Sequence, residues 1–187
     1  MYLSLLGRLY KKGGIILNYL KINKYDIANG PGIRVSLWIS GCSIKCKGCH
    51  NPETWDFNAG HIWDTFAMNT LKKALSADFI QGITFTGGHP LDPSNIEEVY
   101  KIIKKIKKEF PNKDIWLYTG YPLTMKDFDK NHCSTFNNII KNCDVIVDGP
   151  YVQKERDITL KWRGSRNQRV IDVKKTIDKG EIVLFCD

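Results

Sequence analysis

The stretch IRVSLWISGCSIKCKGCH, residues 33–50, combines a predicted strand with a loop that contains three cysteines. Ile33–Ser40 is rich in β-branched and aromatic residues and is flanked by glycines, which predicts a buried strand that runs directly into the loop. Ligands bind at the carboxyl ends of parallel strands in α/β sheets and barrels. Cys42, Cys46 and Cys49 are therefore expected at a functional edge of the fold.

The rest of the chain alternates between short apolar runs and stretches with helical spacing of apolar residues. Further strands are predicted at Gly82–Thr86, Asp114–Thr119, Asp144–Val147 and Glu181–Phe185, and helices at Phe66–Ala77, from Ser94 to Phe110, and at Leu123–Lys141 with a break near Asn131. Ser94 and Glu97 predict a capping box at the start of the second helix. This alternation implies right-handed crossovers and a parallel sheet in a single α/β domain.

Length and composition exclude several classes of protein. The 187 residues fit one domain but fall short of the about 250 that a complete eight-fold βα barrel usually needs. Hydrophobic residues make up 42% of the chain, which argues against disorder, and no apolar run is long enough to span a membrane. The net charge of +8 indicates an anionic partner or, alternatively, solvated lysine-rich faces.

The amino-terminal segment differs from the rest of the chain. No acidic residue occurs in residues 1–25, and no cleavage site of a secretory signal is visible. We expect residues 1–17 to be an extension, either disordered or upstream of a true start near Leu17, and residues 18–187 to form the functional domain. Without an export signal, the crowded cysteines indicate metal or redox chemistry in a reducing cytoplasm. The other cysteines, expected to be packing residues, are Cys133, Cys143 and Cys186.

The spacing of the three crowded cysteines is C-x3-C-x2-C. Three thiolates at this spacing can hold a [4Fe–4S] cluster and leave one iron open, because fully ligated clusters use four cysteines. Other interpretations remain open. Cys46 to His50 matches the C-x-x-C-H pattern of haem attachment, and Cys46 with Cys49 alone matches a redox pair. Structural zinc would need a fourth ligand, with His50, His61 and Cys133 as candidates.

The cysteine motif, placed just after the first predicted strand, resembles that of radical S-adenosylmethionine (SAM) enzymes. More closely, residues from about Asn18 to Arg169 resemble the family that activates the anaerobic ribonucleoside-triphosphate reductase. The matching motifs are Asn29–Gly32, the cysteine loop with Gly48, Thr54–Trp55, Thr86–Gly88, Asp114–Trp116, Thr119–Tyr121, Val147–Gly149, Trp162–Ser165 and Asn167–Gln168. Each motif alone is weak, but their shared order along the chain is specific.

This resemblance implies a partial, open parallel βα barrel with its site at the carboxyl ends of the strands. It implies that Cys42, Cys46 and Cys49 hold a [4Fe–4S] cluster whose open iron binds SAM. Reductive cleavage of SAM would then generate a glycyl radical on the glycyl-radical subunit of the reductase. The residues that the resemblance assigns to SAM binding are Gly48, Cys49, His50, Gly87, Gly88, His89 and Thr119.

One residue departs from the family's pattern. The family has an acidic residue after the two glycines of the turn, whereas this chain has His89. A carboxylate accepts a hydrogen bond from the ammonium group of SAM, a neutral imidazole accepts through one nitrogen only, and a protonated imidazole repels the ammonium group. Contact through the backbone, weaker binding and an altered residue are three interpretations that remain open at this point.

The resemblance also implies partners. Trp162, Arg163 and Gln168 are expected to dock on the reductase, and a low-potential donor such as a flavodoxin is expected to supply the electron. Neither a membrane nor a nucleic acid is expected as a partner. His50 and His61 could have catalytic roles, but histidines of this kind are more commonly packing or hydrogen-bonding residues. Two alternative functions remain: activation of another glycyl-radical enzyme, and a zinc-stabilised binding module without redox chemistry.

Overall fold

The computed structural model describes residues 16–129 and 134–186. Within them, one open sheet contains seven strands in the order β3-β1-β2-β4-β5-β6-β7. The strands are β1 (Asn18–Asp26), β2 (Ile33–Ile39), β3 (His61–Ile62), β4 (Ile80–Gly87), β5 (Asp114–Tyr118), β6 (Val145–Asp148) and β7 (Arg169–Asp172). The α-helices are α1 (Thr65–Leu75), α2 (Ile96–Glu109), α3 (Thr135–Asn142) and α4 (Val173–Lys179).

The centre of the sheet confirms the predicted α/β topology. The strands β2, β4, β5 and β6 pair in parallel, and each corresponds to a predicted strand within two residues. The prediction of a purely parallel sheet is wrong at both edges, where β1, β3 and β7 pair antiparallel. The strand predicted at Glu181–Phe185 is also wrong, because that segment makes only an isolated bridge, from Leu184 to Ile171 of β7.

The helices α1 and α2 confirm the helices predicted at Phe66–Ala77 and from Ser94 to Phe110. No helix in the described part of the chain is long and apolar enough to cross a membrane. The predicted capping box is wrong, because α2 has Asn95 as its N-cap and the Asn95 side chain makes no capping hydrogen bond. Instead of one helix over Leu123–Lys141, a 3-10 turn at Met125–Phe128 precedes α3. The break predicted near Asn131 lies outside the described residues, as does Cys133.

Successive side chains along each strand point to opposite faces of the sheet. One face packs against the helices and forms the main core, whose strand residues include Leu37, Phe85 and Leu117. Leu17, which we predicted to belong to the amino-terminal extension, is part of this core. The opposite face, called the inner face here, carries Trp116 in a smaller apolar cluster beside polar strand residues. The inner face is the one that leads to the cysteine loop.

A buried polar network lies on the inner face of the sheet, near the amino-terminal ends of β2 and β5. The guanidinium of Arg34 is fully buried, where its Nε donates to Thr84 Oγ1 at 2.9 Å and its Nη2 pairs with Asp114. The Asp26 carboxylate accepts hydrogen bonds from Ser36 Oγ at 2.6 Å and from Asn29 Nδ2 at 2.7 Å. These contacts tie the loop between β1 and β2 to the sheet that it crosses.

Asp26 predicts a pH dependence of stability. Burial raises the pKa of Asp26, but hydrogen bonds from Ser36, Asn29 and the Ala28 amide outweigh burial and hold this pKa below its usual value. The stabilisation is therefore complete above the unfolded pKa of about 3.9 and is lost as pH falls through the lower folded pKa. We expect Asp26→Asn to lower the free energy of unfolding by about 1–3 kcal/mol at pH 7.

That difference should shrink below about pH 4, where the wild-type carboxylate also becomes protonated. Urea unfolding at several pH values under anaerobic conditions measures it. Asp56→Asn, which changes an exposed carboxylate, is the matched control. A difference that stays constant from pH 7 to pH 3 would contradict the role given to the Asp26 charge.

Candidate functional site

The three crowded cysteines lie in the loop that follows β2. All three are free thiols and are half-buried. Burial raises the pKa of the Cys46 thiol, and the neighbouring Cys42 and Cys49 thiols raise it further when charged. Three thiolates held this close repel one another unless a cation compensates their charge. The donor set therefore suits an iron–sulfur group, which binds thiolates and supplies positive charge.

Backbone hydrogen bonds fix the start of the cysteine loop from two sides. On one side, the Gly41 and Cys42 amides donate to the Thr54 and Trp55 carbonyls at 2.8 and 3.2 Å. On the other side, the Gly88 amide donates to the Ile39 carbonyl at 2.7 Å. A Cβ on Gly88 would lie 2.7 Å from the Gly41 carbonyl oxygen. A glycine is therefore required where the turn after β4 packs against the cysteine loop.

Two buried side chains of the loop before α2 reinforce this contact. Asn95 Nδ2 lies 3.0 to 3.2 Å from the carbonyl oxygens of Ser40, Gly41 and His89. Asp92 Oδ2 accepts a hydrogen bond from the Ser43 amide at 3.2 Å. Sequence reasoning missed both residues. A polar residue before a helix is typical of an N-cap, and that pattern carries no sign of a contact with another loop.

The cysteines line a cavity of about 120 Å³ at the carboxyl ends of the strands. The assigned SAM-binding residues that share this cavity are Cys49, Gly87, Gly88, His89 and Thr119. Thr86, Tyr118, Tyr151 and Gln168 line this cavity and also a larger neighbouring one of about 440 Å³. The two cavities are therefore adjacent and extend from the cysteine loop along the inner face of the sheet.

Two of the assigned residues lie elsewhere. His50 lines only the larger cavity, with its ring 4.7 Å from that of Tyr151. Gly48 lines neither cavity and lies against the Gln153 side chain, which a Cβ on Gly48 would approach to 2.8 Å. His61, a candidate zinc ligand, is exposed on the edge strand β3. The sequence could not show which residues of the cysteine loop face the smaller cavity and which face away from it.

His89 is the most completely buried titratable residue of the smaller cavity, with 1% of its surface exposed. Its Nε2 lies 2.9 Å from Thr119 Oγ1, whereas its Nδ1 has no hydrogen-bond partner in the described part of the chain. Burial lowers the pKa of His89 to about 4, although the nearby Asp92 charge opposes this shift. The imidazole is therefore neutral at pH 7 and can act as an acceptor.

The tail segment, residues 149–168, forms one wall of the larger cavity. Trp162 packs its ring 5.1 Å from that of Trp116, and its carbonyl accepts a hydrogen bond from Tyr118 Oη at 2.7 Å. Gln168 Nε2 donates to the Gly149 carbonyl at 3.1 Å, and Arg163 Nη1 donates to the Gln168 carbonyl at 3.1 Å. The three residues predicted to dock a partner thus also hold the tail segment together.

The cysteines outside the loop have surroundings of their own. Cys143 is buried in the main core on the helix side of the sheet, and burial raises its thiol pKa. Cys186 is half-buried against the apolar cluster of the inner face. Among the described residues, no three or more Cys, His, Asp or Glu side chains are arranged around a single metal ion. A cubane differs, because each thiolate binds a different iron and the sulfur atoms lie further apart than around one zinc ion.

Comparison with known proteins assigns this arrangement to a class. Residues 28–171 match the model of the 4Fe-4S single cluster domain, so the chain is an iron–sulfur protein of that class. It is 43% identical over 160 residues to the anaerobic ribonucleoside-triphosphate reductase-activating protein of Enterobacteria phage T4, covering 82% of this chain and 93% of the phage protein. The protein of the same name from Haemophilus influenzae is 40% identical, over 81% of this chain and 96% of its own length. The one from Escherichia coli K12 is 38% identical, over 82% of this chain and 97% of its own length. The chain belongs to the family of anaerobic ribonucleoside-triphosphate reductase-activating proteins.

Proposed function

We propose that this protein uses a [4Fe–4S] cluster to cleave SAM reductively and to generate a glycyl radical on the anaerobic, class III ribonucleoside-triphosphate reductase. The observation that carries this proposal is the single cavity lined by three free thiols and by the Gly87–Gly88 turn. The relatives' names, which state activation of that reductase, support the choice of partner. We interpret the open sheet as the partial βα barrel of radical SAM enzymes. We also place the protein in the reducing cytoplasm, where thiols stay free.

The residues have distinct tasks in this proposal. Cys42, Cys46 and Cys49 would hold the cluster, which when bound supplies one electron for cleaving SAM to methionine and a radical that takes a hydrogen atom from glycine. The Gly87–Gly88 turn lets backbone groups approach the ligand without interference from a Cβ. The neutral His89 offers Nδ1 as an acceptor for an ammonium group. Ile44 and Trp55 give the smaller cavity apolar walls, which would help to exclude water once a ligand is bound.

The larger cavity suits entry of the partner's glycine-bearing segment. It adjoins the smaller cavity, and the tail segment forms one of its walls, to which Trp162 and Arg163 belong. Glycine has no side chain, so it is the residue whose Cα the walls of such a groove hinder least. Docking of the reductase through Trp162, Arg163 and Gln168 remains part of the proposal.

The test is anaerobic reconstitution with iron and sulfide, followed by dithionite and SAM, with chromatographic detection of 5′-deoxyadenosine. Addition of the reductase should then give a glycyl radical signal in electron paramagnetic resonance. Stoichiometric zinc and no cluster under these conditions would instead support the zinc-stabilised binding module. A radical formed on another glycyl-radical enzyme, but not on the reductase, would support the alternative partner.

His89 gives a prediction for SAM affinity. In His89→Asp, a carboxylate replaces the neutral acceptor, and charge-assisted hydrogen bonds are about twice as strong as neutral ones. We expect the dissociation constant for SAM to fall about tenfold, which corresponds to about 1.4 kcal/mol. The same substitution places a second carboxylate near Asp92 in a buried site, so the ligand-free variant should be less stable than wild type.

Equilibrium binding of SAM to the reconstituted protein and urea unfolding of the ligand-free protein measure the two effects. His61→Asp introduces the same change at an exposed position and should alter neither. Unchanged or weaker SAM binding by His89→Asp would show that the backbone of the turn, and not this side chain, holds the ammonium group.

A further inference from the structure

The tail segment and the cysteine loop meet at the ring of Tyr151. This ring packs 4.7 Å from the ring of His50, which directly follows Cys49 in the chain. Gly164 lies against both rings, since a Cβ there would lie 3.1 Å from His50 Cε1 and 3.2 Å from Tyr151 Cδ2. The lack of a side chain at Gly164 therefore lets Tyr151 pack against the end of the cysteine loop.

The backbone around Tyr151 is fixed by side chains from the other end of the tail segment. Asn167 Nδ2 donates to the Pro150 carbonyl at 2.7 Å. The Val152 amide donates to Ser165 Oγ at 3.2 Å, and Ser165 is completely buried. The residues on both sides of Tyr151 are thus held in place. The direction of its backbone N–H is therefore set by the tail segment and not by the cysteine loop.

The backbone N–H of Tyr151 contacts one of the three crowded thiols. Tyr151 and Cys46 line the smaller cavity together. Burial raises the pKa of the Cys46 thiol, and a hydrogen bond from the Tyr151 backbone acts in the opposite direction. Cys49 Sγ also accepts a backbone amide, that of Asn51, at 3.4 Å. Two of the thiols thus have backbone donors, one from within the cysteine loop and one from the tail segment.

A hydrogen bond to a thiolate changes the energy of reducing an iron–sulfur cluster. The added electron increases the negative charge on the sulfur atoms, so an N–H that points at sulfur stabilises the reduced state more than the oxidised one. Each such hydrogen bond therefore raises the reduction potential. A donor fixed by the fold is effective because it does not have to reorient when the electron arrives.

We propose that Tyr151 is a positioning residue, whose backbone N–H is held on the Cys46 thiolate and raises the reduction potential of the cluster. This inference rests on the proposed function, in which Cys46 is a ligand and a one-electron reduction starts the cleavage of SAM. A low-potential donor loses that electron and the cluster gains it, with no bond formed or broken in this chain. Because the tail segment also forms a wall of the larger cavity, the segment proposed to dock the reductase also makes the cluster easier to reduce.

The first test locates the donor by isotope labelling. The protein is produced with ¹⁵N-labelled tyrosine, reconstituted, and reduced with dithionite without SAM. Pulsed electron paramagnetic resonance of the reduced cluster should show a ¹⁵N coupling from the amide that is bonded to the thiolate. Tyr151→Phe keeps the ring and the amide but carries ¹⁴N at this position, so it should lose this coupling and keep the wild-type potential. A ¹⁵N signal of equal strength in both proteins would overturn the proposal, as would its absence from wild type.

The second test measures the reduction potential by a redox titration without SAM. Tyr151→Pro has no backbone N–H at this position, and Tyr151→Ala is its matched control, because it lacks the same ring but keeps the donor. We expect the equilibrium constant for one-electron reduction to be about tenfold smaller in Tyr151→Pro than in Tyr151→Ala, which corresponds to a potential about 59 mV lower. Tyr25→Ala, which removes an exposed ring from β1, should keep the wild-type potential.

Equal potentials in Tyr151→Pro and Tyr151→Ala would overturn the proposal. If Tyr151→Pro does not fold, the ¹⁵N comparison decides alone, because Tyr151→Phe differs from wild type only by a hydroxyl group. A wild-type cluster that forms 5′-deoxyadenosine but has no coupling to Tyr151 would overturn this inference and leave the proposed function standing. Zinc in place of a cluster in wild type would overturn both.

Discussion

Cys46→Ala will fold, but it will bind no iron–sulfur cluster and will form no 5′-deoxyadenosine. Fully ligated clusters use four cysteines, and this loop has three, so no spare thiolate can replace Cys46. The side chain is small and half-buried, and we expect its removal to change the free energy of unfolding of the apoprotein by less than about 1 kcal/mol. Activity should fall at least a hundredfold, to the background of the assay.

Iron and sulfide analysis, visible absorption and 5′-deoxyadenosine yield measure these losses together. Cys186→Ala is the matched control, because Cys186 is also a half-buried free thiol but packs against the inner-face apolar cluster away from the loop. It should retain its full cluster content and its activity. A Cys46→Ala protein with a full cluster would show that this thiolate is not a ligand, and retained zinc in that variant would support a zinc site completed by other residues.

Asn95→Asp should lower the free energy of unfolding by about 3 kcal/mol and disrupt the contact between the cysteine loop and the Gly87–Gly88 turn. The Asn95 amide nitrogen faces three carbonyl oxygens, which can only accept hydrogen bonds. Aspartate has nearly the same shape but presents an acceptor, and Asn95 is 1% exposed. A buried carboxylate that faces other acceptors loses its hydration and gains no hydrogen bond in return.

Two measurements distinguish a loss of positioning from a general loss of stability. Urea unfolding of the apoprotein gives the free energy, and SAM binding to the reconstituted variant at a temperature where it is fully folded gives the local effect. Asn58→Asp, the same chemical change at an exposed residue, should affect neither. Normal SAM affinity in a folded Asn95→Asp variant would show that Asn95 stabilises the fold but does not position the SAM-binding residues.

The central strands and two helices could be predicted because their patterns are strong and local. The strand β2 is a continuous β-branched and aromatic run, and α2 has apolar residues on one face, which the structure buries. The edge strands lack such a pattern. Within Asn18–Asp26 most residues are only half-buried and lysines interrupt the run, while Arg169–Asp172 is four residues long. Their pairing depends on the neighbouring strands that they meet, which a local pattern does not contain.

The candidate site was predictable to a similar extent. The cysteine spacing and the two glycines after β4 are short patterns with a direct chemical meaning, and the structure places them at one cavity. The roles of Asn95 and Asp92 depend on loops that are about fifty residues apart in sequence. Likewise, the sequence shows that residue 89 is a histidine, but only its surroundings show that it is buried and neutral. Spacing within a motif is readable from sequence, whereas contacts between motifs are not.

The tail segment that closes the larger cavity is held mainly by hydrogen bonds within itself. Gln168 and Arg163 connect its own backbone, and Arg156 pairs with Ser165 across it. The cysteines and the glycine turn belong to loops at the ends of β2 and β4, which precede this segment in the chain. Gly149, Tyr151 and Gln168 of this segment also line the smaller cavity, whereas its residues between Arg156 and Gly164 line only the larger one. Substitutions between Arg156 and Gly164 can therefore reshape the entrance without altering the residues that line the smaller cavity. In the proposed function, this middle part of the tail segment could change the choice of partner while the residues around the cysteines stay the same.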